Sequence, residues 1–137
     1  MTAGVRGAAS RSPAPEAQSP RDRLLGRDYW AVLSTPHPDT TADDVTNHVD
    51  AHVAWLLKLE SDGTLFLSGP LTKGPGVRPG SGLAIFRAES ASRAAEIAAE
   101  DPFVRAGLRS FEVFGWRLNE GTIDLRLSLG TGSYDWR

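Results

Sequence analysis

A chain of 137 residues is the length of one domain, and its 40% hydrophobic content is enough to fill a single core. A net charge of -2 and an isoelectric point near 5.9 give no electrostatic case for nucleic acid or an anionic membrane surface as partner. The lack of cysteine excludes disulfides, thiol catalysis and thiolate-ligated metals. No apolar run reaches the ~18 residues of a membrane-spanning helix. The N-terminus also lacks the apolar stretch of a signal peptide, so a cytoplasmic protein is expected.

Met1 to about Arg23 is made of Ala, Ser, Pro, Gly and Arg with scarcely an apolar anchor. Such a segment buries too little surface to offset its ordering entropy, and residues 1–24 are expected to form a disordered tail. Residues 25–137 then make one domain. Tyr29 to Thr35 reads as the first strand, and Pro36 to Asp39 as a turn. A helix is predicted from near Asp43 to Gly63. Thr41 can cap it, Asp43 and Asp44 sit where the helix dipole favours carboxylates, and Gly63 supplies a left-handed stop. Val45, Val49, His52, Val53, Leu56 and Leu59 recur three or four residues apart and share its inward face.

Thr64 to Ser68 is the second predicted strand. Gly69 to Gly82 follows as a long Gly/Pro loop carrying Lys73 and Arg78. Leu83 to Arg87 is the third strand. Ser90 can cap a second helix, Ala91 to Glu100, which Pro102 stops. Arg109 to Leu118 is the fourth strand. The order βαββαβ is the ferredoxin-like split of an α+β domain. In the extension 119–137, Ile123, Leu125, Leu127 and Leu129 alternate with polar residues. This is the pattern of an extra, half-exposed edge strand, expected at a dimer seam.

Strand one carries Tyr29, Ala31 and Leu33 on one face and Trp30 and Val32 on the other; strand four sets Phe111 and Val113 against Phe114 and Trp116. A sheet apolar on both sides must be covered on both sides. Two helices cover only one, so a second copy of the chain is expected on the other, as a homodimer.

His52 falls in line with the apolar stripe of its helix, where an ionisable ring is either a satisfied core residue or a working one. A His on the first helix, a glycine stop, a strand ending in Gly69-Pro70 and an Asp101-Pro102-Phe103 run after the second helix resemble the YCII-related family. That family belongs to the dimeric α/β-barrel, ferredoxin-like superfamily, which also holds muconolactone isomerases, dehydrochlorinases and small antibiotic-biosynthesis oxygenases. The resemblance spans Tyr29 to Trp116. It implies a homodimer and a catalytic role for His52, with Asp101 as its partner. Asp101 would accept a hydrogen bond from one ring nitrogen, fix the tautomer and raise the ring's basicity. An Asp before Pro is also common as a turn residue capping local amides.

Gly69 and Pro70 are expected at the mouth of the pocket, Trp55 and Phe103 in its lining, and Arg78 (or Lys73) on a lid-like loop from Leu71 to Ser81, facing an anionic group of the substrate. Tyr134 and Trp136 could reach over a pocket or the partner subunit. His48 and His52 are four apart on one helix, but Val49 stands where a zincin has its Glu, so no metal is expected. No phosphate loop, dinucleotide fingerprint or nucleophile elbow occurs, and no cofactor is expected. The function expected is proton transfer by a His52/Asp101 dyad on a small carbonyl, lactone or phenolic metabolite: isomerisation, elimination (dehydrohalogenation) or cyclisation. The alternatives are a cofactor-free monooxygenase of the same superfamily and a non-catalytic metabolite-binding or accessory protein.

Overall fold

The computed structural model describes residues 19–136. Most of the expected N-terminal tail, residues 1–18, lies outside the described residues; Pro20–Arg23 form one turn of 3-10 helix behind Ser19. Arg27–Leu118 is one compact unit. Its elements run β1 (Arg27–Pro36), α1 (Ala42–Ser61), β2 (Leu65–Pro70), β3 (Gly82–Phe86), α2 (Ala91–Ala99), α3 (Pro102–Arg105) and β4 (Arg109–Leu118). The sheet order β2-β3-β1-β4, antiparallel throughout, is the ferredoxin-like arrangement with an added single-turn helix, α3.

Local chemistry accounts for the boundaries. Thr41 Oγ1 accepts from the Asp44 amide at 3.1 Å while the Asp44 carboxylate accepts from the Thr41 amide at 2.9 Å, a closed capping box at the start of α1. Gly63, at φ +85°, lets the chain leave α1 in a conformation an L side chain resists. β2 runs on to Pro70, two residues beyond the expected end. A proline is tolerated there because β2 is an edge strand, so its missing N–H interrupts no ladder on the outer side.

The core lies between the sheet and the helices. Val32, Leu59, Leu65, Phe86, Ala94, Ile97 and Ala98 are buried together, with Trp30, Trp55, Leu56, Phe111 and Val113 packed against them. The small side chains of α2 let it sit close to the strands. Register puts Trp30 across from Phe86, Val32 between Ala84 and Val113, and Ser34 between Gly82 and Phe111. The opposite face of the sheet carries Leu67, Leu83, Phe114 and Trp116, each 38 to 47% exposed. The helices thus cover one apolar face and leave the other.

The C-terminal extension departs from expectation. Thr122 to Leu129 does not form an edge strand of the main sheet. Its central part, β5 (Leu125–Ser128), pairs antiparallel with β6 (Ser133–Trp136) in a two-stranded sheet of its own. The tail supplies the partner strand because Gly132, at φ +64°, allows the tight turn between them. Leu125 lies opposite Trp136 and Leu127 opposite Tyr134.

Candidate active site

The helix-facing side of the sheet is filled unevenly. At one end Trp30, Phe86 and Leu65 are in register and close-packed beneath Leu59 of α1. At the other end the corresponding row is Ser34, Gly82 and Pro70, whose small side chains cannot reach the helix. The space left is a cavity of about 350 Å³, at the small end of the range for ligand pockets. Val45, Val49, His52, Trp55 and Leu56 of α1 form one wall. Ser34, Gly69, Pro70, Gly82, Ala84 and Phe111 form the floor. Asp101, Phe103, Val104, Gly80, Ser81 and Arg109 close the side. The inward stripe of α1 therefore has two uses: its C-terminal part packs the core and its N-terminal part lines the cavity.

His52 and Asp101 meet in that wall. His52 Nδ1 lies 2.8 Å from Asp101 Oδ1, across 49 positions of sequence. The same Oδ1 accepts the Phe103 amide at 3.0 Å. Asp101 is the N-cap of α3, with Pro102 in the first turn, where a proline's missing N–H costs nothing. The second helix ends before Pro102, as expected, and a new helical turn, α3, begins at Pro102. The carboxylate sits at the favourable end of α3, not only at the unfavourable end of α2. Its capping and pairing roles hold at once.

A carboxylate can only accept, so Nδ1–H of His52 is the donor and the neutral ring's lone pair is left on Nε2. Nε2 has no hydrogen-bond partner among the described residues. The imidazole is held between Phe103, at 4.8 Å between ring centroids, and Trp55, at 5.9 Å. Asp101 is only 4% exposed, and a buried carboxylate needs such donors. With Nδ1 committed to Asp101, the imidazole presents an Nε2 that is unpaired among the described residues to a mainly apolar chamber. It can take a proton and return it.

Arg109 also lines the cavity, which sequence reasoning missed. Its Nη2 donates to the Gly80 carbonyl at 3.0 Å and its Nη1 to Ser34 Oγ at 3.4 Å, and Cζ lies 4.4 Å from the centre of the Phe103 ring. Burial lowers the guanidinium from its usual range and the Asp101 charge works in the opposite direction; the group remains a cation. The signal was present: Arg109, Phe111 and Val113 alternate onto the helix-facing side, so a charge stands in an apolar row. Arg78, expected to face an anionic group, does not line the cavity. The Ser81 amide donates to its carbonyl at 3.1 Å in a turn that brings Gly80 and Ser81 to the wall and leaves Arg78, like Lys73, exposed. Gly69, Pro70, Trp55 and Phe103 do line it.

Trp55 Nε1 is buried without a hydrogen-bond partner among the described residues, an unsatisfied donor on a ring that lines the cavity. His48 is occupied otherwise, with Nδ1 2.8 Å from the Asp44 carbonyl of its own helix. Among the described residues no three His, Cys, Asp or Glu side chains converge as metal ligands. No helix there is long and apolar enough to cross a membrane.

The fold is shared with a protein of known structure. The solved structure of 5-chloro-2-hydroxyhydroquinone dehydrochlorinase from Burkholderia phenoliruptrix, in complex with 2,5-dihydroxybenzoquinone, is similar with a TM-score of 0.52 and 25% sequence identity. The match covers 64% of this chain and 92% of that one. No curated protein matches. The model of the YCII-related domain matches residues 29–117, which takes in β1 through nearly all of β4 and with them every residue of the cavity wall, and the chain belongs to the YCII-related family.

Proposed function

We propose that this protein is a proton-transfer enzyme in which His52 is the general base and acid and Asp101 its orienting partner. The observation that carries the reading is the 2.8 Å bond from His52 Nδ1 to the buried Asp101 Oδ1, at a cavity that leaves Nε2 unpaired. The substrate is a small carbonyl, lactone or phenolic compound, in keeping with the size of the cavity and its mainly apolar wall. Nε2 takes a proton from a carbon next to a carbonyl, and the C–H electron pair moves to the carbonyl oxygen as an enolate. The imidazolium then returns the proton at another atom of the conjugated system, which is isomerisation. Alternatively the enolate expels a leaving anion, which is elimination. The named activity of the dehydrochlorinase, to which this chain is similar, favours elimination.

The enzyme acts as a homodimer, with the second copy on the sheet face that carries Leu67, Leu83, Phe114 and Trp116; this supplies the cover that the helices do not.

The test is turnover: chloride release from 5-chloro-2-hydroxyhydroquinone and double-bond migration in muconolactone, for wild type and His52→Ala. General acid–base catalysis contributes about 10²–10⁴-fold, so the variant should lose turnover by that factor while its circular dichroism stays that of the wild type. Undiminished turnover in a folded His52→Ala protein refutes the assignment.

A further inference from the structure

We propose that Arg109 is the anion-binding residue of the cavity, and that the ligand it selects is a small conjugated ring carrying an ionised oxygen: a phenolate, a vinylogous acid or a ring carboxylate. This deepens the proton-transfer reading. The placement of the reacting atom at His52 rests on that reading, whereas the anion contact stands on its own observations.

Four of these bear on it. Arg109 is the cation among the described residues that lines the cavity. No carboxylate lies within ion-pair distance of its guanidinium among those residues; Asp101, whose charge acts on it from farther off, has Oδ1 engaged by His52 and the Phe103 amide. Among the described residues only two neutral acceptors, the Gly80 carbonyl and Ser34 Oγ, take its N–H groups, and a guanidinium has five. Half-burial without a carboxylate at ion-pair distance costs free energy that an anionic ligand would recover.

Geometry adds the shape of the ligand. Phe103 is a common neighbour of the two polar groups, 4.8 Å from the His52 ring and 4.4 Å from the Arg109 guanidinium. A planar ring lying along Phe103 can hold an oxygen at Arg109 and present a carbon to His52 Nε2. An oxygen so held is also where negative charge grows when Nε2 removes a proton from a conjugated carbon, so the contact strengthens as the reaction proceeds. A second cavity of about 290 Å³ shares Val45, Gly80, Phe103 and Arg109 with the first.

The experiment is calorimetric binding of two rings of similar size. One is 2,5-dihydroxybenzoquinone, a vinylogous acid ionised at neutral pH, and the other is its uncharged counterpart 2,5-dimethylbenzoquinone. Wild type should bind the acid more tightly. Arg109→Gln should weaken the acid by about 10- to 100-fold, the scale of a lost charge-assisted hydrogen bond, and leave the neutral ring unchanged. Arg109→Lys, which keeps the charge without the planar fork, should fall between. His52→Gln should keep the preference for the acid. Equal binding of both rings by wild type, no binding of either at millimolar concentration, or an equal loss of both in Arg109→Gln would overturn the proposal. The two readings separate cleanly. Loss of the acid preference in Arg109→Gln alongside undiminished turnover in His52→Ala retains the anion site and removes the proton-transfer role. An unaltered acid preference in Arg109→Gln alongside lost turnover in a folded His52→Ala protein does the reverse.

Discussion

Oδ1 of Asp101 accepts both the Phe103 amide and His52 Nδ1, so one atom starts α3 and orients the imidazole. The two roles can be parted by substitution. Asparagine caps a helix about as well as aspartate, so Asp101→Asn should melt within a few degrees of wild type. It removes the charge that stabilises an imidazolium, and turnover should fall about 10- to 100-fold. Steady-state kinetics beside a thermal melt checks this; wild-type turnover would mean that Asp101 is only a cap. At this scale the sequence was partly legible. His52 could be placed inward from its spacing, whereas Asp101 stood out through the family resemblance, since an Asp before Pro is also common as a turn residue. Arg109 was overlooked because a charge at the start of a strand usually faces water. Arg78 drew attention because it sits in a loop rich in glycine and proline, where exposure cannot be told from engagement.

Among the elements, α1 has a start set by side chains alone. Replacing Thr41 by Ala removes the acceptor for the Asp44 amide and should destabilise the fold by about 1 kcal/mol, read as a lowered urea midpoint. The Asp44 carboxyl is held below its ordinary range, chiefly by the Thr41 amide and then by the Thr41 hydroxyl. A depressed carboxylate stabilises the folded state above its unfolded value, near 3.9, and loses that contribution as pH falls through the lower folded value. The midpoint difference between wild type and Asp44→Ala should therefore be full at pH 6 and shrink steadily below about pH 4. Strands β1, β3 and β4 and both long helices were legible to within a residue or two, because caps, glycine stops and apolar spacing act locally. The four-residue α3 is too short to show a period; its only mark is the Asp101-Pro102 cap. β5 was legible as a strand from its alternation, but not its partner, since pairing with β6 depends on how the chain turns at Gly132.

At the level of the molecule, the exposed face of Leu67, Leu83, Phe114 and Trp116 is the kind of apolar surface that marks an interaction site. The proposed homodimer predicts a sedimentation mass twice that of the 14.7 kDa chain. Leu67→Asp combined with Phe114→Glu should return the single-chain mass with the circular dichroism retained; a wild-type protein that sediments as a monomer would refute the dimer. Short-range chemistry in the sequence was sufficient for the element order, the two-sided apolar strands that call for a second cover, and the inward direction of His52. Those follow from steric and capping preferences of neighbouring residues and from periodicity along one element. The meeting of His52 with Asp101, the cavity over Ser34 and Gly82, the presence of Arg109 instead of Arg78 in its wall, and the separate β5–β6 hairpin were decided only by the tertiary structure. Each depends on the register between strands and on packing between segments far apart in the chain, which no local pattern specifies.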